Sequence, residues 1–70
     1  MTIGELVNQA IEESGMSKTQ FAKAVEINKS FILRVISGEK DLSKNLLDKI
    51  LEIKQVSMGT KDDLKAKYYE

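Results

Sequence analysis

The chain has 70 residues with 11 basic and 11 acidic side chains, so its formal net charge at pH 7 is zero. This length supports one domain with a small core and leaves no room for a second. The absence of Cys and His excludes disulfides, thiolate chemistry and the usual zinc sites, and we expect neither a metal nor another cofactor.

The N-terminal stretch predicts an amphipathic helix. Thr2 is a favourable N-cap residue, and Glu5 three residues later completes a capping box. Gly15 is a typical C-cap residue at the other end. The apolar residues between them recur at the spacing of one helical face; they are Ile3, Leu6, Val7, Ala10 and Ile11. With no Pro and only four Gly in the chain, the composition favours a compact all-α fold of four to five helices.

Residues 17–38, SKTQFAKAVEINKSFILRVISG, contain two short helical patterns joined by a tight turn. Ser17 and Asn28 are the predicted N-caps of the two helices, and Gly38 ends the second. The small side chain of Ala22 allows close packing of the helices, and Ile27 anchors the turn. This spacing predicts a helix-turn-helix. The outer face of its second helix is polar and cationic, which suits a DNA major groove; an ordinary helical corner with a solvated basic face is the alternative.

The segment MSKTQFAKAVEINKSFILRVISGEKDLS resembles the helix-turn-helix of lambda-repressor-like regulators of the Cro/Xre type. The resemblance covers about residues 3–55, and eight positions stand in register with the family pattern. These positions are Lys18, Phe21, Ala22, Val25, Ile27, Ile32, Val35 and Gly38.

Two positions depart from the family pattern. Glu26 stands in the turn where the family usually has Gly, which costs on the order of 1 kcal/mol and is tolerated. Ile11 and Ile36 occupy places where the family often pairs an Arg with a Glu. Because both partners are apolar together, no buried charge is left unpaired, and we expect the two isoleucines to contact each other in the core.

The resemblance implies a set of DNA-contacting residues on helix 28–37 and around it. The side chains expected to contact bases are Lys29, Ser30, Leu33 and Arg34: the two cations can donate to guanine, Ser30 suits either base type, and Leu33 suits a thymine methyl. The residues expected to contact phosphates are Ser17, Lys18, Asn28, Ser37, Lys40 and Lys44, which lie at helix starts and in the following loop.

The charge distribution is uneven despite the zero sum. Residues 16–44 carry a net charge of +3, and the remaining positions therefore carry −3. A cationic pole on the helix-turn-helix with an acidic back is typical of a DNA-binding domain.

The C-terminal third predicts a fourth helix from Lys44 to about Gln55, capped by Ser43. Its apolar residues cover too wide an arc for one core-facing stripe; they are Leu46, Leu47, Ile50, Leu51, Ile53 and Val56. We expect the surplus to be buried either under the tail or against a second copy, with Leu64, Tyr68 and Tyr69 nearby. Thr60 is expected to begin a short fifth helix over residues 61–70. We therefore divide the chain into a helix-turn-helix domain, residues 1–56, and a C-terminal tail, residues 57–70.

The leading interpretation is a sequence-specific transcriptional regulator of double-stranded DNA, resembling a small phage or prophage repressor of the Cro kind. We expect a weak homodimer that DNA strengthens, no enzymatic activity, no small-molecule ligand and no membrane association. The expected location is the cytoplasm, in the bacterial nucleoid or a phage-infected host. The alternative is a helix-turn-helix fold used as a protein-interaction module, such as an antirepressor or a partner of another regulator. The zero net charge and the acidic residues Glu39 and Asp41 beside the DNA-facing loop favour that alternative.

Overall fold

The computed structural model describes all 70 residues and folds them into five α-helices without a strand. The helices are α1 (Ile3–Ser14), α2 (Lys18–Val25), α3 (Lys29–Ser37), α4 (Lys44–Leu51) and α5 (Met58–Tyr68). The all-α prediction is confirmed. None of the five helices combines the length and the apolar composition that a membrane span requires.

Every helix contributes to one apolar core. Fifteen buried apolar residues form a single cluster, and α1 packs against α2, α3 and α5. Phe21 of α2, Ile32 of α3 and Leu64 of α5 are fully buried. Burying a side chain of this size contributes about 1.5–3 kcal/mol relative to leaving it exposed. Because the core lies directly behind α3, that helix is held from one side and is open to solvent on the other.

A side-chain cap fixes the start of each helix. The capping residues accept a hydrogen bond from a backbone N–H group two or three residues further on; they are Thr2, Ser17, Asn28, Ser43 and Ser57. The predicted capping box of Thr2 and Glu5 is present, and Ser17 forms a second one with Gln20. Such caps each stabilise a helix by about 1 kcal/mol. The starts of α1 to α4 are therefore confirmed.

The N-terminal turn of α1 lies against the C-terminal end of α3, backbone to backbone. Gly4 is buried, and a Cβ built on it would overlap the carbonyl oxygen of Ile36 and lie 2.8 Å from that of Val35. Only a residue without a side chain allows this approach. Gly4 therefore places the first helix across the end of α3.

Ile11 and Ile36 belong to the same cluster but differ in burial. Ile11 is 3% exposed, whereas Ile36 is only partly buried. The carbonyl of Ile36 lies over Gly4, which precedes Ile11 by seven residues, or about 10 Å along a helix. Direct contact between the two isoleucines remains a prediction.

Helix α4 ends at Leu51, earlier than the predicted Gln55. The chain then turns: the Ile53 N–H donates to the Ile50 carbonyl at 3.1 Å, and the Val56 N–H donates to the Ile53 carbonyl at 3.3 Å. Val56 nevertheless is 2% exposed. The apolar arc was too wide for one helix because its last residues belong to this turn.

Part of the surface considered for a second copy is buried within the monomer, while Ile53 and Tyr68 stay partly exposed and Tyr69 is 64% exposed. Leu46 and Ile50 of α4, Val56 of the turn and Leu64 of α5 are each at most 2% exposed. Of the two uses that the sequence left open for these residues, the structure shows burial of the fifth helix.

Helix α5 begins at Met58, three residues before the predicted Lys61, and its N-cap is Ser57 instead of Thr60. The start was wrongly predicted because a carboxylate on α1 stabilises this helix end. The Ser57 N–H donates to Oε1 of Glu13 at 2.9 Å, and the Thr60 hydroxyl donates to Oε2 at 2.9 Å. The Gln9 amide also donates to Oε2, at 3.0 Å. A negative charge at a helix N-terminus is favoured by the helix dipole.

The hydrogen bonds between Glu13 and the start of α5 should make the stability of the fold depend on pH. Hydrogen bonds from the Ser57 N–H and the Gln9 amide lower the pKa of Glu13 from 4.5 to about 2. A carboxyl whose pKa is depressed in the folded state adds stability above its unfolded pKa and loses it as the pH falls through the folded value. We expect Glu13→Gln to lower stability at pH 7, with the deficit shrinking as the pH falls from 4.5 towards 2. Urea unfolding followed by circular dichroism across this range measures it.

Glu12→Gln is the matched control, since the Glu12 side chain bonds only to Asn8 of its own helix. A deficit of the same size for both variants, or one independent of pH, would contradict this role of Glu13.

Gly4→Ala should destabilise the fold, although alanine favours helices. The added methyl overlaps backbone atoms that cannot move aside independently, and we expect a loss of about 1–3 kcal/mol or more. Gly59→Ala is the control within α5, because the nearest atom to its Cβ would be Oγ of Ser57 at 4.0 Å. That variant should gain up to about 1 kcal/mol from helix propensity. Thermal and urea unfolding compare the two, and equal effects would contradict the close approach of α1 and α3.

Candidate nucleic-acid interface

The turn between α2 and α3 is a Schellman motif with a non-glycine residue at its left-handed position. The Ile27 N–H donates to the Ala22 carbonyl at 3.1 Å, and the Glu26 N–H donates to the Lys23 carbonyl at 3.3 Å. These are the two bonds that define the motif. Glu26 has φ 58° and ψ 39°, so the predicted turn forms despite the departure from glycine. Ile27 packs partly buried against the core, as the sequence indicated.

Glu26→Gly should stabilise the domain. A side chain in the left-handed region costs on the order of 1 kcal/mol, which glycine avoids at the expense of some chain entropy. We expect a net gain of about 0.5–1 kcal/mol in urea unfolding. Glu26→Ala removes the same charge but retains Cβ and should give no comparable gain. Equal stabilisation by both variants would show that charge, and not backbone strain, is the cause.

The four side chains expected to contact bases lie on one face of α3. Lys29 and Leu33 are four residues apart, as are Ser30 and Arg34, and residues at this spacing share a helix face. All four are exposed. Leu33 is 40% exposed, although it is apolar.

The opposite face of α3 holds Ile32 and Val35, which are at most 1% exposed. Phe31 is half-buried between the two faces. The helix therefore cannot rotate about its axis without exposing these core residues. Its outward face is fixed, and side chains on it are presented in a constant orientation.

Two of the outward cations have intramolecular partners that the sequence reasoning missed. The Lys29 ammonium donates to Oγ1 of Thr19 on α2 at 2.8 Å. Nε of Arg34 lies 3.8 Å from Oε2 of Glu39. No local sequence pattern indicates the Thr19 contact, because it joins two helices. The Glu39 contact could have been predicted, since a Schellman motif at Gly38 places the residue after it close to Arg34.

The residues expected to contact phosphates are all exposed; they lie at three helix starts, at the last residue of α3 (Ser37) and in the loop after it. Ser17 and Asn28 also serve as N-caps. Lys44 is bound to Asp48 at 3.0 Å, a hydrogen bond that raises the pKa of Lys44. Lys18 and Lys40 form no salt bridge. These two lysines are therefore free of intramolecular ion pairs, one at the start of α2 and the other in the loop after α3.

A family model described as helix-turn-helix matches residues 7–60, from the middle of α1 to the start of α5. The chain belongs to the Cro/C1-type helix-turn-helix family. No curated protein and no solved structure shows significant similarity to it. Membership in this family identifies the chain as a DNA-binding helix-turn-helix domain whose partner is double-stranded DNA.

Proposed function

We propose that this helix-turn-helix protein is a sequence-specific transcriptional repressor of the small Cro-like kind that inserts α3 into the major groove. One observation carries the proposal. Four side chains able to contact base edges lie together on the exposed face of α3, while Ile32 and Val35 anchor the other face in the core. A rigidly held helix of this kind is the reading element of the fold.

The side chains on this face suit different base edges. Lys29 and Arg34 are donors for the O6 and N7 acceptors of guanine, and Ser30 can donate or accept. Leu33 offers an apolar surface for the methyl group of thymine. The proposed site therefore contains guanine in at least one position and is read by hydrogen bonds together with apolar contact.

The surrounding residues would fix the position of α3 on the duplex. Phosphate contacts supply most of the affinity and no direct sequence information. We assign this role to Lys18 and Lys40, which form no salt bridge, together with the helix starts at Ser17 and Asn28. Ser37 and Lys44 complete the set, with Lys44 exchanging Asp48 for a phosphate.

Two copies on a near-palindromic site would give the affinity that one short helix lacks. Helix α3 has 9 residues, and related domains pair their recognition helices about one DNA turn apart. Most large apolar side chains of α4 and α5 are buried inside the monomer, and those left exposed, such as Met58 and the neighbouring Tyr69, offer a small surface for a dimer. We therefore propose that the dimer forms on DNA, where two linked contacts strengthen a small interface.

The alternative function, a protein-interaction module, is favoured by the exposed carboxylates of Glu39 and Asp41 in the loop after α3. Acidic side chains at this place repel phosphates. Binding of the protein to DNA in a salt-dependent manner separates the two functions.

Binding should weaken at least about tenfold between about 50 and about 200 mM salt, because phosphate contacts release counterions.

Arg34→Ala should cost about 1–3 kcal/mol on the preferred duplex and relax selection at one base pair, whereas Lys18→Ala should weaken binding to all sequences alike. Fluorescence anisotropy with the duplex selected from a randomised pool, and with random duplex, measures both.

Lys54→Ala is the control, since Lys54 follows the far end of α4 and should leave binding unchanged. Absence of binding at low salt would favour the protein-interaction module. Equal losses for Arg34→Ala on both duplexes would show that Arg34 contacts phosphate and not a base.

A further inference from the structure

The Arg34–Glu39 contact links the proposed reading face to the loop that follows it. Both side chains are exposed, at 57% and 69%, and the Nε–Oε2 distance is 3.8 Å. An exposed ion pair of this kind adds little to stability. Its place in the structure therefore calls for another explanation than folding.

The backbone puts these two residues side by side. Helix α3 ends in a Schellman motif at Gly38, which has φ 88°. The Glu39 N–H donates to the Arg34 carbonyl at 2.9 Å, and the Lys40 N–H donates to the same carbonyl at 3.2 Å. The Glu39 side chain thus leaves the backbone at a fixed position, close to the point where the Arg34 side chain begins.

The carboxylate lies beside one edge of the guanidinium. Glu39 approaches Nε, which leaves the two terminal nitrogens as donors for a ligand. Two parallel donors on one planar group match the O6 and N7 acceptors of guanine. A carboxylate holding the inner edge of the guanidinium would limit its rotation and turn this fork outward.

The same carboxylate has an unfavourable effect on every DNA sequence. A negative charge close to the phosphate backbone opposes binding whatever the bases are. A contact between Arg34 and a guanine would compensate it. Such a contact would shield the Arg34–Glu39 pair from water, and charge–charge interactions are stronger there than at the free surface.

We infer that Glu39 is a specificity-determining positioning residue: it orients Arg34 towards a guanine and, by its charge, selects against duplexes that lack one. This inference rests on the proposed function of α3. It also gives a role to an acidic residue that otherwise argues against DNA binding. Discrimination gained through a repulsive element is a general means of specificity.

Glu39→Gln tests the inference, with Asp41→Asn as the matched control. Asp41 lies in the same loop and is exposed, but it forms no ion pair. Both variants remove one negative charge, so both should bind random duplex several-fold more tightly. The ratio of affinities for the selected and random duplexes should fall about five- to tenfold in Glu39→Gln and stay constant in Asp41→Asn.

A double-mutant cycle with Arg34→Ala shows whether the effect passes through the arginine. In the Arg34→Ala background, Glu39→Gln should change the affinity for both duplexes by the same factor. Circular dichroism melting of each variant checks folding, since glutamine retains the backbone bonds of the Gly38 motif.

Two outcomes overturn the inference, and they differ. If the wild-type protein prefers the selected duplex and Glu39→Gln behaves like Asp41→Asn, Glu39 is only a general repulsive charge and the proposed function stands. If the wild-type protein binds neither duplex, the proposed function fails and the role of Glu39 fails with it.

Discussion

The burial of one face of α3 is the constraint on which the interface depends. Ile32 and Val35 are anchored in the core, and the backbone of Val35 and Ile36 lies against Gly4 of α1. Helix α3 is therefore held by its packing against α1 and α2, with the closest approach of α1 at the C-terminal end of α3. A recognition helix reads sequence only if its side chains reach the same positions each time. The packing behind α3 fixes the orientation of the helix. The exposed side chains have no part in this packing, so their identity can suit the bases that they contact.

Schellman motifs close both helices of the helix-turn-helix. The first, at Glu26, sets the direction in which the chain enters α3, and it forms with a backbone conformation that disfavours glutamate. The second, at Gly38, ends α3 and sets the position of the loop that carries Glu39 and Lys40. Two backbone motifs of the same type thus define both the orientation of the reading face and the charges beside it.

The electrostatic properties of this protein depend more on where the charged side chains lie than on the net charge. A chain with zero net charge presents unpaired Lys18 and Lys40 around α3. Glu13 serves a structural purpose instead, since its carboxylate accepts the N–H of Ser57 and joins α5 to α1. Other charges are engaged locally, as in the pair of Lys44 with Asp48. The charge of each group therefore has to be considered together with its partner before it is counted towards DNA binding.

Features that depend on neighbours along the chain could be predicted from the order of the residues. Cap residues such as Ser17 and Asn28, the helical spacing of Phe21 and Val25, and Gly38 at a helix end all act within one or two turns. The helix-turn-helix and its exposed face could be predicted for this reason. The same pattern of apolar residues predicted which face of α3 is buried.

Features that depend on contacts between residues far apart in the sequence became visible only in the folded structure. The early end of α4 goes with the burial of Val56 in the turn that follows. The start of α5 at Met58 depends on the bond between Ser57 and Glu13, which lie far apart in the sequence. The need for Gly4 arises only where two helices meet, and the Lys29–Thr19 bond only where α2 faces α3. Whether the apolar residues of α4 met a second copy or the fifth helix was likewise undetermined by spacing. In the structure Leu46, Leu47 and Ile50 are buried within the monomer together with Leu64, whereas Leu51 stays partly exposed.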